Sequence, residues 1–160
     1  MRTLHAVPAP GVLAMILLAF AGMATTTVQE IMSRDLVYLT RGARASLALP
    51  QILRFGITAV PVLDEEHRPI GVVSLRDLVG DADIDAAMTT PARSILMGAT
   101  IEDAARALAE SGYHHVVVVG TDGRAVGIVS SVDLLRALVG LPPRHPVALQ
   151  DVKPAVRHAD

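Results

Sequence analysis

The sequence predicts an α/β (α+β) fold built from two β-α-β-β-α repeats packed with pseudo-twofold symmetry. Three observations predict it. The 160-residue chain aligns with itself, without a gap, at a shift of 56 residues. The same order of apolar and polar segments occurs in both copies. Each copy also holds a short, fully apolar run rich in β-branched residues, 59–63 and 116–119, as strands buried on both faces do. One copy is too small to bury such strands alone, so the two are expected to pack sheet against sheet.

The register of the repeat is dense. Met32 falls on Met88, Gly42-Ala43 on Gly98-Ala99, Ala48 on Ala104 and Gly56 on Gly112. Val60 meets Val116, Val62 meets Val118 and Arg68 meets Arg124. Gly71-x-Val73-Ser74 then falls on Gly127-x-Val129-Ser130, and Asp77-Leu78 on Asp133-Leu134.

Each copy reads alike along its length. A short helical start (28–32; 84–88) leads to an apolar stretch, 36–39 and its weaker counterpart 94–97. A helix follows over 46–55 and 101–111. In the second copy Ile101, Ala104, Ala105 and Leu108 fall on one helical face. Pro50 should break the first of these helices or delay its start to about Gln51. Gly56 and Gly112 stand where a helix end takes a left-handed residue. After the apolar strands come turns at 64–68 (DEEHR) and 120–124 (GTDGR), then second strands at 70–73 and 126–129. The acidic turn reads as a solvated hairpin tip. A short closing helix is expected at 75–79 and 132–139. The resulting division is a leader, 1–24, repeats at 25–80 and 81–140, and a Pro-rich tail, 141–160, read as a loop or partner-contacting extension.

Composition narrows the function. With 51% hydrophobic and 19% charged residues the chain has ample material for a core. Two Phe, two Tyr and no Trp offer little for stacking on bases, and a net charge of -2 without a basic stripe gives no nucleic-acid footprint. Cysteine is absent, which removes disulfides, thiolate metal sites and a cysteine nucleophile. Three readings stand open for 1–24. Arg2 and His5 before the apolar run 12–24 fit a signal peptide or membrane tether. The run also suits a helix packing on the module or on a dimer partner, and Met23 suits a true start with the upstream residues miscalled. At 13 residues the run is short for a membrane span.

The chemistry concentrates in the doubled motif Gly71-Val-Val-Ser74-Leu-Arg-Asp77 and Gly127-Ile-Val-Ser130-Ser-Val-Asp133. Serine followed three residues on by an acid is close to a helix capping box, which is the plain reading. The functional reading uses the same geometry. A helix N-terminus favours phosphate, a serine hydroxyl donates to it, and a carboxylate accepts from the two hydroxyls of a ribose. The motif glycines let another backbone approach closely. His114 and His115, ahead of the second apolar strand, read either as a strand-edge pair or as phosphate contacts. An imidazole there would make phosphate binding rise as pH falls. Their counterparts Thr58 and Ala59 are not basic, so two unequal clefts are expected. Zinc is disfavoured, since His-x-x-His spacing and an acid partner are missing. Neither a nucleophile elbow, a zinc-protease helix nor a Lys-bearing phosphate loop is present, so an enzyme is not expected.

Over 25–140 the repeated pattern resembles the CBS domain, named after cystathionine β-synthase. The resemblance implies a disc-like pair with a cleft between its sheets that takes AMP, ADP, ATP or S-adenosylmethionine as a regulatory ligand, with no cofactor. It further implies Asp77 and Asp133 at the ribose, Ser74 and Ser130 by the phosphates, and His114 and His115 as basic contacts. A flat homodimer, an unidentified regulated protein and a cytoplasmic location follow from the same likeness, with export or tethering through 1–24 as the alternative. Two departures from the family pattern, Val117 where proline is usual and Gly120 where an acid is usual, put strand-end geometry in doubt more than the motif.

Overall fold

The computed structural model describes residues 11, 26–54, 56–78 and 83–143. The expectations for the leader and for the tail beyond residue 143 lie outside these residues. In chain order the elements are α1 (Val28–Ile31), β1 (Leu39–Thr40), α2 (Ala45–Arg54), β2 (Ala59–Leu63), β3 (Pro69–Ser74), α3 (Ile84–Ala87), β4 (Ser94–Leu96), α4 (Ile101–Ser111), β5 (His115–Val119), β6 (Ala125–Ser130) and α5 (Ser131–Leu138). They form two three-stranded sheets, β1-β2-β3 and β4-β5-β6. In each, the first strand runs parallel to the second and the second antiparallel to the third. The mixed α+β architecture is the one the repeat predicts.

The two hairpins match residue for residue. Ala59 pairs with Ser74 as His115 pairs with Ser130, and a bulge falls between Val62 and Leu63 as between Val118 and Val119. His67 takes a left-handed φ of 63° where its counterpart Gly123 takes 81°. Asp64 accepts from the Arg68 amide at 2.7 Å. With Gly120 in the counterpart position, Asp122 does that work for Arg124 at 3.1 Å. The acid is displaced by two residues and the turn survives. Gly56 and Gly112 close their helices left-handed, at φ 63° and 69°.

Three local expectations are corrected. Helix α2 runs through Pro50 without a break. The missing Pro50 N–H costs one helical bond, but Ala45, Ala48 and Ile52 bury the opposite face in the core and hold the helix. The stretch 36–39 forms only the two-residue β1, because Pro61 has no N–H to offer it. At the equivalent place Val117 donates to the Arg93 carbonyl at 2.9 Å, and β4 gains a residue. Residues 75–78 form turns and not the start of a closing helix. The second repeat spends Leu134-Leu135-Arg136-Ala137-Leu138 on that helix, whereas the first has Leu78-Val79-Gly80-Asp81-Ala82, with a glycine and an aspartate at interior positions.

The start of each repeat packs in the core of the other. One cluster joins Val28, Ile31 and Met32 to Ile101, Leu108, Val116, Val118 and Val129. The other joins Ile84, with Met88 against it, to Leu39, Ile52, Val60, Val62 and Val73. Two backbone bridges seal the exchange: Ser33 with Ile128, and Val72 with Thr89. The second face of the hairpins, including Ala59, Leu63, Val117 and Val119, is buried as well. Glycine is required at both crossings. A β-carbon on Gly71 would lie 2.6 Å from the Met88 sulfur, and one on Gly127 2.7 Å from the Met32 sulfur and 2.8 Å from the Ser33 carbonyl oxygen.

These two crossings should respond differently to mutation. Gly127→Ala is expected to cost about 1–3 kcal/mol, because a backbone carbonyl has to move. Gly71→Ala should cost less, since only the Met88 side chain has to yield. Thermal melts of the two variants decide it, and a larger loss for Gly71→Ala would contradict the packing described.

Candidate functional site

The site grows from the ends of the hairpins. Register puts Ser74 beside Ala59 and Ser130 beside His115, and the next amide in each case turns back on the hairpin. Leu75 N–H donates to the Thr58 carbonyl at 3.0 Å, and Ser131 N–H to the His114 carbonyl at 2.9 Å. The connecting segment crosses both sheets: Thr89 is bridged to Val72, and the Arg93 carbonyl holds Val117. Between these pieces opens a cleft of about 820 Å³, large enough for a nucleotide-sized ligand.

Five of the six expected residues line this cleft together. Ser74 and Asp77 come from the first repeat, and His114, His115 and Ser130 from the second. Asp133 does not line it and is only 9% exposed. Both Ser–Asp pairs are closed on themselves. The Asp77 Oδ2 accepts from the Ser74 amide at 2.8 Å and its hydroxyl at 2.6 Å, and Asp133 Oδ2 accepts from Ser130 at the same two distances. In the second repeat the Asp133 amide also donates to the Ser130 hydroxyl, which completes a capping box on α5. In the first, the Asp77 amide donates to the Ser74 carbonyl instead and closes a turn. With the recorded bonds on Oδ2, the second oxygen of Asp77 is the one able to accept from a ligand.

Other wall residues escaped the sequence reading. Arg76 sits inside the motif, where the second repeat has Val132, and Arg93 follows Pro91 in the connecting segment. The Arg93 guanidinium lies 5.8 Å from the Tyr113 ring centre, within cation–π range. Arg76 was legible as the one basic residue within either motif. Arg93 carried no signal, because only the fold brings it to the cleft. Thr58, noted for lacking charge, binds across the repeats: its hydroxyl is 3.2 Å from His115 Nε2. Among the described residues no group of three His, Cys, Asp or Glu is placed to hold a metal ion. No helix of the described residues is long and apolar enough to cross a membrane.

A sequence model of the CBS domain matches twice in tandem, over residues 28–83 and 80–140. The chain belongs to the CBS domain family. Among curated proteins, this CBS pair is 23% identical over 121 residues to an uncharacterized 17.7 kDa protein of Acidianus ambivalens, covering 71% of this chain and 74% of that one. It is 25% identical over 127 residues to an uncharacterized protein of Methanocaldococcus jannaschii, covering 74% of this chain but only 45% of the relative. Solved structures agree on the fold. The crystal structure of CBSX2 in complex with AMP superposes with a TM-score of 0.66 at 25% identity, over 72% of this chain and 97% of that one. The cytosolic domain of the Mg2+ channel MgtE in complex with ATP gives 0.64 at 26% identity, over 76% and 52%. A CBS domain pair holding 5'-methylthioadenosine and S-adenosylmethionine gives 0.68 at 22% identity, over 72% and 98%.

The electrostatics of the cleft centre on His115. Burial pushes its pKa below the ordinary value, the Asp133 carboxylate pulls it back up, and His114 adds to the depression. The unfolded chain therefore takes up this proton near pH 6.5 and the folded chain only at lower pH. Stability from this group is full above about pH 6.5 and is lost as pH falls through the window below it. Melting temperatures taken between pH 8 and pH 5 should fall on the acid side, and His115→Gln should flatten that fall. Identical pH profiles for the two proteins would contradict the assignment.

Proposed function

We propose that this CBS pair is a regulatory module, not an enzyme, that binds an adenosine compound (AMP, ADP, ATP or S-adenosylmethionine) in the cleft between its repeats. One observation carries the reading: a single cleft gathers Ser74 and Asp77 from one repeat with His114, His115 and Ser130 from the other. Asp77 suits a ribose, since a carboxylate accepts from two vicinal hydroxyls. Ser74, Ser130 and the imidazoles suit the phosphates, and Arg76 and Arg93 on the same wall add the charge that an anion needs. The structures with bound AMP, ATP and S-adenosylmethionine named above support this ligand class by likeness.

Regulation needs a second surface that responds. Gly112, Tyr113, His114 and Ser131 line both the cleft and an apolar groove on α4 and α5, so a ligand that shifts this shared wall changes what the groove accepts. It biases the module only by its differential affinity for the two arrangements. A regulated protein partner, a homodimer and a cytoplasmic setting complete the reading. Support for the homodimer comes from the rim of α2, where Leu47 and Leu53 are exposed. Sedimentation equilibrium should show a dimer that Leu53→Glu weakens, and a monomer at every concentration would remove it.

A second reading keeps the fold without the ligand. The 2.6 Å Ser–Asp bonds favour it, because they cap the chain with no ligand involved. Calorimetric titration with AMP, ATP and S-adenosylmethionine separates the two. Saturable binding is expected for at least one, weakened about 10–100-fold by Asp77→Ala through loss of charged hydrogen bonds. No binding of any of the three would leave only the scaffold, as would an Asp77→Ala melting loss that is the same with and without nucleotide.

A further inference from the structure

The wall of the cleft is positive in a chain that is not. It carries two arginines, Arg76 and Arg93, against one carboxylate, Asp77, although the chain as a whole has a formal net charge of -2. Neither guanidinium has an ion-pair or hydrogen-bond partner among the described residues, whereas those of Arg41, Arg106 and Arg124 lie 3.1–3.9 Å from an acid. The Tyr113 ring, 5.8 Å from the Arg93 guanidinium, restrains it on that wall without neutralising it.

The pseudo-twofold relation shows that this charge belongs to one half only. The repeat register holds structurally through the connecting segment: Ser33 bridges Ile128 as Thr89 bridges Val72, and Leu39 pairs with Val62 as Ile95 pairs with Val118. Arg93 is therefore the counterpart of Val37, and Arg76 of Val132. Pro91 has Asp35 as its counterpart. Between Ser33 and Leu39 the one basic side chain, Arg34, donates to the Gln29 carbonyl at 3.0 Å and stands next to Asp35. Thr58 and Ala59 take the places of His114 and His115. Asp133, the counterpart of Asp77, is only 9% exposed. Every basic contact thus falls on the side where Asp77 is available.

We infer that the cleft selects its adenosine ligand by the phosphate: Arg76 and Arg93 grip it, one phosphorylated adenosine binds per chain with its ribose at Asp77, and S-adenosylmethionine is disfavoured. The inference rests on the reading of the cleft as an adenosine site. S-adenosylmethionine carries a positive sulfonium where AMP and ATP carry a phosphate ester, so the same two guanidiniums attract one kind of ligand and repel the other. A guanidinium fork also matches phosphate oxygens in geometry, which a hydroxyl or imidazole does not.

Calorimetric titration of the full chain with ATP, AMP, adenosine and S-adenosylmethionine, repeated for Arg76→Val and Arg93→Val, tests this. Each substitution copies the residue of the opposite repeat at an exposed position. ATP and AMP should bind one per chain, both more tightly than adenosine or S-adenosylmethionine. Each valine variant should weaken ATP about tenfold, as loss of a charged hydrogen bond does, without moving the melting temperature of the free protein. Arg76→Lys and Arg93→Lys, which keep the charge, should retain more ATP affinity than the valine variants. Arg124→Ala removes the same charge from the β5–β6 turn and should leave ATP affinity unchanged. S-adenosylmethionine or adenosine binding as tightly as ATP would overturn the inference, as would two nucleotides per chain or an ATP affinity indifferent to both valine substitutions. Those results would leave the adenosine site itself standing. Absence of binding by all four ligands would remove the site, and this selection with it.

Discussion

At each crossing of the two repeats a methionine from one lies where a side chain of the other would begin, so the motif residue there has to be glycine. Met88 covers Gly71 and Met32 covers Gly127, while Ser33 and Thr89 add backbone bridges to Ile128 and Val72. This reciprocal exchange ties two small half-modules into one body. Neither core cluster is complete without residues from the other repeat, so neither half has an independent hydrophobic interior of full size. The exchange also carries the connecting segment across both sheets, and that path delivers Thr89, Pro91 and Arg93 to the cleft. Site and fold therefore depend on the same contact.

The doubled motif does two jobs that compete. A serine hydroxyl 2.6 Å from its aspartate caps the local backbone, and the same two groups are those suited to a sugar phosphate. The halves resolve this differently. Asp133 is buried, completes a capping box on α5 and partly offsets the lowering of the His115 pKa by burial. Asp77 closes only a turn and faces the cleft. The asymmetry expected from Thr58 and Ala59 standing opposite His114 and His115 is thus deepened by the motifs. One half leans toward structure and the other toward a ligand.

Much of this was legible in the sequence, and the reasons for the misses are specific. The 56-residue register located both hairpins to within a residue, because apolar runs and glycines fall in phase in the two copies. The exchange of start segments was not legible: Met32 and Met88 read alike whichever core receives them. Pro61 shortened a strand by withholding an N–H from a neighbour far away in sequence, an effect that no local pattern displays. Residues 75–78 form turns where the second repeat forms a helix, and the likeness of the repeats hid the difference in sequence that follows, Gly80-Asp81 against Arg136-Ala137. Pro50 misled in the other direction, since burial of Ala48 and Ile52 outweighed a lost hydrogen bond. At the site, residue types were legible and partners were not. Asp133 looked equivalent to Asp77 until burial separated them, and Arg93 gained meaning only from the fold.

The central claim is that the exchange builds one asymmetric cleft for an adenosine compound, with Asp77 at the sugar and the histidines toward the phosphate. A crystal of the protein grown with AMP tests it most directly. The account predicts nucleotide density between the repeats, the ribose hydroxyls within hydrogen-bond distance of the Asp77 carboxylate and the phosphate beside His114 and His115. Density elsewhere on the molecule, or a ribose held by Asp133 with Asp77 still closed on Ser74, would contradict it.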